Sequence, residues 1–107
     1  MSMSIWEILV PTVMPEGRPI RTRQHRVWDE KVRSITGGLT IMPPVHGQWV
    51  SPDAELIFER MIPVRIACTR EQIDEIAKMT SKFYKQRAIM FYCISNEVYI
   101  LDYKNEC

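Results

Sequence analysis

The stretch Met61-Ile62-Pro63-Val64-Arg65-Ile66-Ala67-Cys68-Thr69-Arg70-Glu71-Gln72-Ile73-Asp74-Glu75-Ile76-Ala77 changes its hydrophobic period in the middle, and that change decides the fold. Up to Cys68 the period is two. Ile62, Val64, Ile66 and Cys68 share one face of an extended strand, while Met61, Pro63, Arg65 and Ala67 share the other. Past Thr69 the period becomes 3.6, with Ile73, Ile76, Ala77, Thr80, Phe83 and Tyr84 on one helical stripe and Lys85 and Arg87 where the helix dipole favours cations. The junction Thr69-Arg70-Glu71-Gln72 is a capping box, the Thr hydroxyl accepting from a helical N–H while the Gln reaches back. Backwards, the strand extends to Leu56, and Pro63, which has no N–H to give, requires it to be unpaired or bulged at that point.

Upstream, Ser51-Pro52-Asp53-Ala54 has turn chemistry and joins this strand to Leu39–Val50 as a hairpin. Pro43-Pro44 and Gly47 make Leu39–Val50 an irregular edge strand. Before it, Trp28, Val32 and Ile35 form the stripe of an amphipathic helix over 23–35, stopped by Thr36-Gly37-Gly38. Ile5–Val10 ahead of Pro11 reads as a first strand, and Val13–Pro19 as a loop. Downstream, Ala88–Ile94 and Val98–Leu101 form a last strand or a tight hairpin broken at Ser95-Asn96-Glu97. The order predicts an α+β, ferredoxin-like β-α-β-β-α-β domain over residues 1–107, an antiparallel sheet with two helices on one face. The other face is left bare, with Trp49, Phe58 or Ile57, and Met61 as its apolar candidates. Such a face predicts a homo-oligomer, a trimer or a dimer.

Composition narrows the function classes. At 107 residues, 46% apolar and 25% charged, the chain suits one folded domain rather than a disordered or fibrous protein. A net charge of +1 argues against nucleic-acid binding by overall charge. Cys68, Cys93 and Cys107 form no Cys-x-x-Cys pair, which suggests neither a disulfide framework nor zinc and favours a reducing cytoplasm. Cys68 and Cys93 lie in apolar stretches and read as buried thiols, and Cys107 as exposed. No basic segment precedes the first apolar run, so no secretory signal is read, and no apolar run approaches the roughly 20 residues that cross a bilayer.

Three groups of residues carry candidate chemistry. In His46-Gly47-Gln48-Trp49, glycine permits close approach, Gln48 offers a donor and an acceptor, and Trp49 a stacking face, a set suited to a purine or to packing on a neighbouring subunit. By parity Glu59 lies with Met61 and Arg65 on the bare face, where it reads either as a base tuned by burial and charge or as a structural ion pair with Arg65. Arg18, Arg21, Arg23 and Arg26, with His25 among them, gather at a loop-to-helix junction. They suit an anion or simply form a solvated helix start, with Asp29 and Glu30 as compensating charges. His25 and His46 lack metal spacing, and no triad order, phosphate loop or dinucleotide fingerprint is present, so neither a metal nor a cofactor is expected.

Gly38-Leu39-Thr40, Gly47-Gln48-Trp49, Leu56 and Glu59 together resemble a family of small bacterial and phage proteins that share this Gly-Leu-Thr, Gly-Gln-Trp and Glu pattern and bring no established activity. Ala54 departs from that family, which tends to carry Gly in this turn. A weaker likeness, resting on His25-Arg26, Glu59 and the closing helix and strand, is to the phage S-adenosylmethionine lyases. It implies a trimer with ligand sites between subunits and a breakdown of the sulfonium promoted at Glu59. The expected function is a small phage-type accessory protein, suited to a role against host defence, that oligomerises through its sheet and binds a small anionic or purine-containing ligand or a host protein. Gln48 and Trp49, with His46 beside them, are its expected ring contacts, Arg21, Arg23 and Arg26 its expected anion contacts, and Arg65 with Glu59 its expected lining of the subunit interface. The alternative is a lyase-like enzyme with Glu59 as catalytic residue.

Overall fold

The computed structural model describes residues 3–103, in the order β1 (Ser4–Pro11), α1 (Thr22–Thr36), β2 (Thr40–Ile41), β3 (Val45–Val50), β4 (Leu56–Cys68), α2 (Arg70–Phe83) and β5 (Phe91–Ser95). All these strands belong to one antiparallel sheet. β1 pairs with β4 on one side and β5 on the other, while β2 and β3 share the far edge of β4. The topology is ferredoxin-like, its second strand divided in two.

The division has a local cause. Pro43-Pro44 falls between β2 and β3, opposite Pro63 of β4. Toward β1 the ladder runs unbroken through the Leu9–Pro63 pair. The interruption that Pro63 demands lies on the other side, where only the Met42 N–H reaches the Pro63 carbonyl at 2.9 Å.

The even-numbered face of β1 and β4 carries the core. Ile8, Val10, Val64 and Ile66 lie under Trp28 and Val32 of α1 and Ile73 and Ile76 of α2, all buried. The Trp28 indole N–H donates to Thr80 Oγ1 at 2.9 Å, so the largest buried side chain is also satisfied. α2 opens on the expected box: Thr69 Oγ1 accepts from the Gln72 N–H at 3.2 Å, and Gln72 Oε1 from the Thr69 N–H at 3.0 Å. α1 closes on Gly37, whose φ of 87° favours glycine.

Four details differ from the sequence reading. α2 ends at Phe83, with Lys85 turning the chain at a φ of 55°, so Lys82 rather than Lys85 or Arg87 occupies its last turn. β5 starts at Phe91, and residues 88–90 run past the edge of β1, held by the Leu9 N–H on the Met90 carbonyl at 3.0 Å. Val98–Leu101 forms no strand: among the described residues its backbone has no sheet partner. Cys93 is exposed because β5 is the sheet edge, whereas Cys68 is fully buried, its thiol pushed up to about 11 by burial. Cys107 lies outside the described residues.

β4 is 13 residues long, but β1 covers only its second half. Residues 56–60 pair with β3 alone and project as a two-stranded arm, closed by a turn in which the Ser51 N–H donates to the Glu55 carbonyl at 2.9 Å. Ala54 stands there at a φ of 63°, a conformation that favours glycine. Along its longest axis the molecule measures 61 Å, against 28 and 23 Å across.

Candidate functional site

A cavity of about 340 Å³ opens where the arm leaves the body of the sheet. Leu9 and Pro11 of β1 form one wall, Ile57, Glu59 and Met61 of β4 the floor, Trp49 of β3 a third side, and Gln86 with residues 88–90 the fourth. Alternation explains the gathering, because Leu9, Pro11, Trp49, Ile57, Glu59 and Met61 all point to the face without helices. The Trp49 indole N–H donates to Glu59 Oε2 at 2.8 Å, and among the described residues Glu59 is the only charged side chain lining the space.

Met61, which the sequence places on bare surface, is instead buried. Gly47, opposite Glu59 on β3, makes room for it: a Cβ on Gly47 would stand 2.5 Å from the Met61 methyl. The glycine in His46-Gly47-Gln48-Trp49 therefore admits a side chain of the same molecule, which fills the base of the cavity.

The same alternation separates the other expected ring contacts. His46 and Gln48 pair with Arg60 and Phe58 on the face opposite Trp49, so Gln48 and Trp49 cannot hold one ring within a single chain. Glu59 and Arg65 share a face but stand six residues apart on one strand, about 20 Å at strand rise. Arg65 is instead committed to Glu7 of β1, its Nε donating to Glu7 Oε1 at 2.9 Å, and the Tyr92 O–H of β5 donates to the other Glu7 oxygen. Burial alone would raise the Glu7 pKa; the hydrogen bonds from Tyr92 and Arg65 and the guanidinium charge outweigh it and hold the carboxyl below its ordinary value. Burial and the Glu7 carboxylate together push Tyr92 up to about 12. Sequence reasoning missed this cluster, although the Glu7–Arg65 and Glu7–Tyr92 register pairs follow from alternation once the strand order is known.

Arg21, Arg23 and Arg26 are exposed, line none of this cavity, and have no carboxylate within ion-pair reach among the described residues. Asp29 and Glu30, expected to compensate them, form no ion pair with them among the described residues. Asp29 faces His25, whose Nδ1 stands 2.7 Å from the buried Tyr84 hydroxyl. Burial lowers the His25 pKa against the pull of Asp29, and the neutral ring so favoured can accept the Tyr84 O–H. His25 thus ties α1 to the end of α2. The walls from Leu9, Pro11 and residues 86–90 had no signal in the sequence beyond the face on which β1 residues fall.

Compared with known proteins, the chain matches no family model, and no curated protein matches it by sequence. By fold it is similar to a phage SAM lyase solved in complex with S-methyl-5'-thioadenosine, with a TM-score of 0.66 at 13% identity, covering 92% of this chain and 94% of that one. It is also similar to CutA1 from Oryza sativa, at 0.68 and 7% identity over 94% and 84% of the two chains. The divalent cation tolerance protein CutA1 from Thermus thermophilus gives 0.64 at 9% identity over 95% and 87%. At such identities these likenesses speak for the fold alone.

Proposed function

We propose that the chain is a homo-oligomeric binding protein that takes a small purine-containing cation of the S-adenosylmethionine type in the cavity at the root of its arm. One observation carries the reading: the cavity joins an indole and a single carboxylate in surroundings that are apolar apart from Gln86. An indole favours a ring or a cation against its face. Glu59 uses one oxygen on Trp49 and keeps the other for a positive group. An anion is unsuited to this space, so the purine half of the sequence expectation is kept and the anionic half is not. About 340 Å³ lies at the lower end of small-ligand pockets, consistent with a site that a second copy completes. The exposed apolar residues Phe58, Leu56 and Val50 of the arm support that second copy.

The test is titration with S-adenosylmethionine followed by Trp fluorescence and native mass spectrometry. Binding with a quenched or shifted emission is expected, and Glu59→Gln should weaken it about tenfold, roughly 1.4 kcal/mol. No binding by the assembled protein would overturn the ligand class and leave a protein partner as the reading to pursue.

A second reading, favoured by the fold shared with the phage SAM lyase over nearly the whole of both chains, is that the bound cofactor is also broken down. In that reaction the substrate's own carboxylate oxygen bonds to the carbon leaving sulfur, the C–S bond breaks, and its electron pair stays on sulfur as neutral S-methyl-5'-thioadenosine. The protein's part is orientation, which can supply much of the barrier reduction. Loss of cofactor mass with an intact assembly distinguishes cleavage from sequestration, and either would suit a role against host defence. The free thiols Cys68 and Cys93 suit a reducing, cytoplasmic setting.

A further inference from the structure

We infer that the groove between α1 and α2, on the face of the sheet away from the cavity, docks an acidic amphipathic helix of a partner protein. The two helices run antiparallel side by side. His25 Nδ1, near the start of α1, lies 2.7 Å from the Tyr84 hydroxyl just past the end of α2, and the Gln72 side-chain amide at the start of α2 donates to the Ile35 carbonyl at 3.2 Å. Between them lies an open groove of about 440 Å³, lined by Lys31, Lys78, Met79, Lys82 and Phe83. Its floor is apolar and its rim cationic. Met79 and Phe83 pack against the core, Phe83 with its ring centroid 4.9 Å from that of buried Tyr84, so the floor is fixed, while the three lysines are exposed. Val27, 45% exposed and one turn before Lys31 on the same side of α1, extends the floor.

The charges are placed against local preference. Lys78 and Lys82 stand four apart on one helix, a spacing at which like charges repel, and Lys31 adds a third across the groove. No carboxylate relieves them: among the described residues none of the three takes part in an ion pair, and Asp74, one turn before Lys78, is bonded to Arg70 at 3.0 Å. The exposed Arg23 and Arg26 lie toward the same end of the helix pair, also without ion pairs among the described residues. A chain of net charge +1 thus gathers cations on one surface, and a local arrangement that disfavours the free molecule is expected where a partner of opposite charge binds. Shape selects among anionic partners. Nucleic acid calls for cations and a ring on which bases stack, whereas the groove's one aromatic, Phe83, is half-buried against Tyr84, and the apolar Val27 and Met79 have no part in such binding. A helix laid along α1 and α2 buries an apolar stripe on Val27, Met79 and Phe83 and aligns flanking carboxylates with Lys31, Lys78 and Lys82, whose long stems follow its surface.

Nuclear magnetic resonance of the full chain, titrated with a synthetic helix of about 18 residues that carries leucines at i, i+3, i+4 and i+7 and glutamates on both flanks, tests the inference. Amide shifts are expected to gather at Val27, Lys31, Met79, Lys82 and Phe83. Lys31→Glu combined with Lys82→Glu should weaken binding about tenfold, and Lys31→Arg combined with Lys82→Arg should retain it. Both pairs should leave unfolding, assembly and S-adenosylmethionine binding unchanged, because the groove and the cavity lie on opposite faces. Shifts away from the groove, no binding by the folded chain, or a charge reversal without effect overturns the inference. So does a polyglutamate or a single-stranded oligonucleotide that binds the groove as tightly as the helix, since charge alone would then suffice. None of these outcomes bears on the ligand reading above, which stands or falls on the other face.

Discussion

The body of the sheet and the arm are built from one strand, yet they solve opposite problems. In the body, β4 residues 61–68 sit between β1 and β2, with two helices on one face and the Glu7–Arg65–Tyr92 cluster on the other. In the arm, residues 56–60 have β3 on one side and no helix on either face, and Phe58 is 69% exposed. A lone two-stranded ribbon is marginal in water. The body is thus organised for stability, and the arm, on the reading proposed above, for contact with a second copy.

The sharpest way to break this contrast is to cut the core. Trp28→Ala should lower the unfolding free energy by about 3–5 kcal/mol, since it removes a fully buried ring and the bond that Thr80 Oγ1 accepts, leaving that hydroxyl only its bond to the Ile76 carbonyl, as urea denaturation would register. Glu7→Gln comes next, at about 1–2 kcal/mol near pH 7, because the cluster is half-exposed at Arg65. Its sign with pH is fixed. The folded Glu7 pKa lies below the ordinary value of 4.5, so the contribution is complete above that value and is lost as pH falls through the folded pKa. Stability curves of the variant and the parent should therefore converge in acid.

On the arm the expected pattern reverses. Phe58→Ala should change unfolding by less than about 0.5 kcal/mol while raising the dissociation constant of the oligomer about tenfold, by sedimentation or light scattering. An unfolding loss as large as that of Trp28→Ala would mean that arm and body form one cooperative unit. The smallest effect is expected at the arm's tip, where Ala54→Gly should stabilise by under about 1 kcal/mol by relieving a left-handed alanine, seen as a small rise in melting temperature.

What the sequence discloses follows the same division. Where side chains are buried on one face, period and capping are tightly constrained, so Leu56–Cys68, the Thr69–Gln72 box and the Trp28-Val32 stripe are readable directly. Where two segments meet only in space, the sequence is mute or misleading. It joins Glu59 to Arg65 although Glu7 holds Arg65, groups Gln48 with Trp49 across opposite faces, and sets His25 among anion contacts although Tyr84 holds it. Its strand at Val98–Leu101 fails for a related reason: strand propensity states a preference and cannot supply the neighbour that a strand must pair with. The cavity walls from residues 86–90 are invisible because an irregular segment has no period to read.

The continuity of β4 has a mechanical consequence. A strand without a hinge behaves as a stiff lever, so the arm's direction is set by the twist of the buried half rather than by a flexible joint. A substitution at Val64 or Ile66, with no ligand within reach, would tilt Glu59 and Trp49 by leverage. Tolerance to core repacking should accordingly be narrower for recognition than for folding.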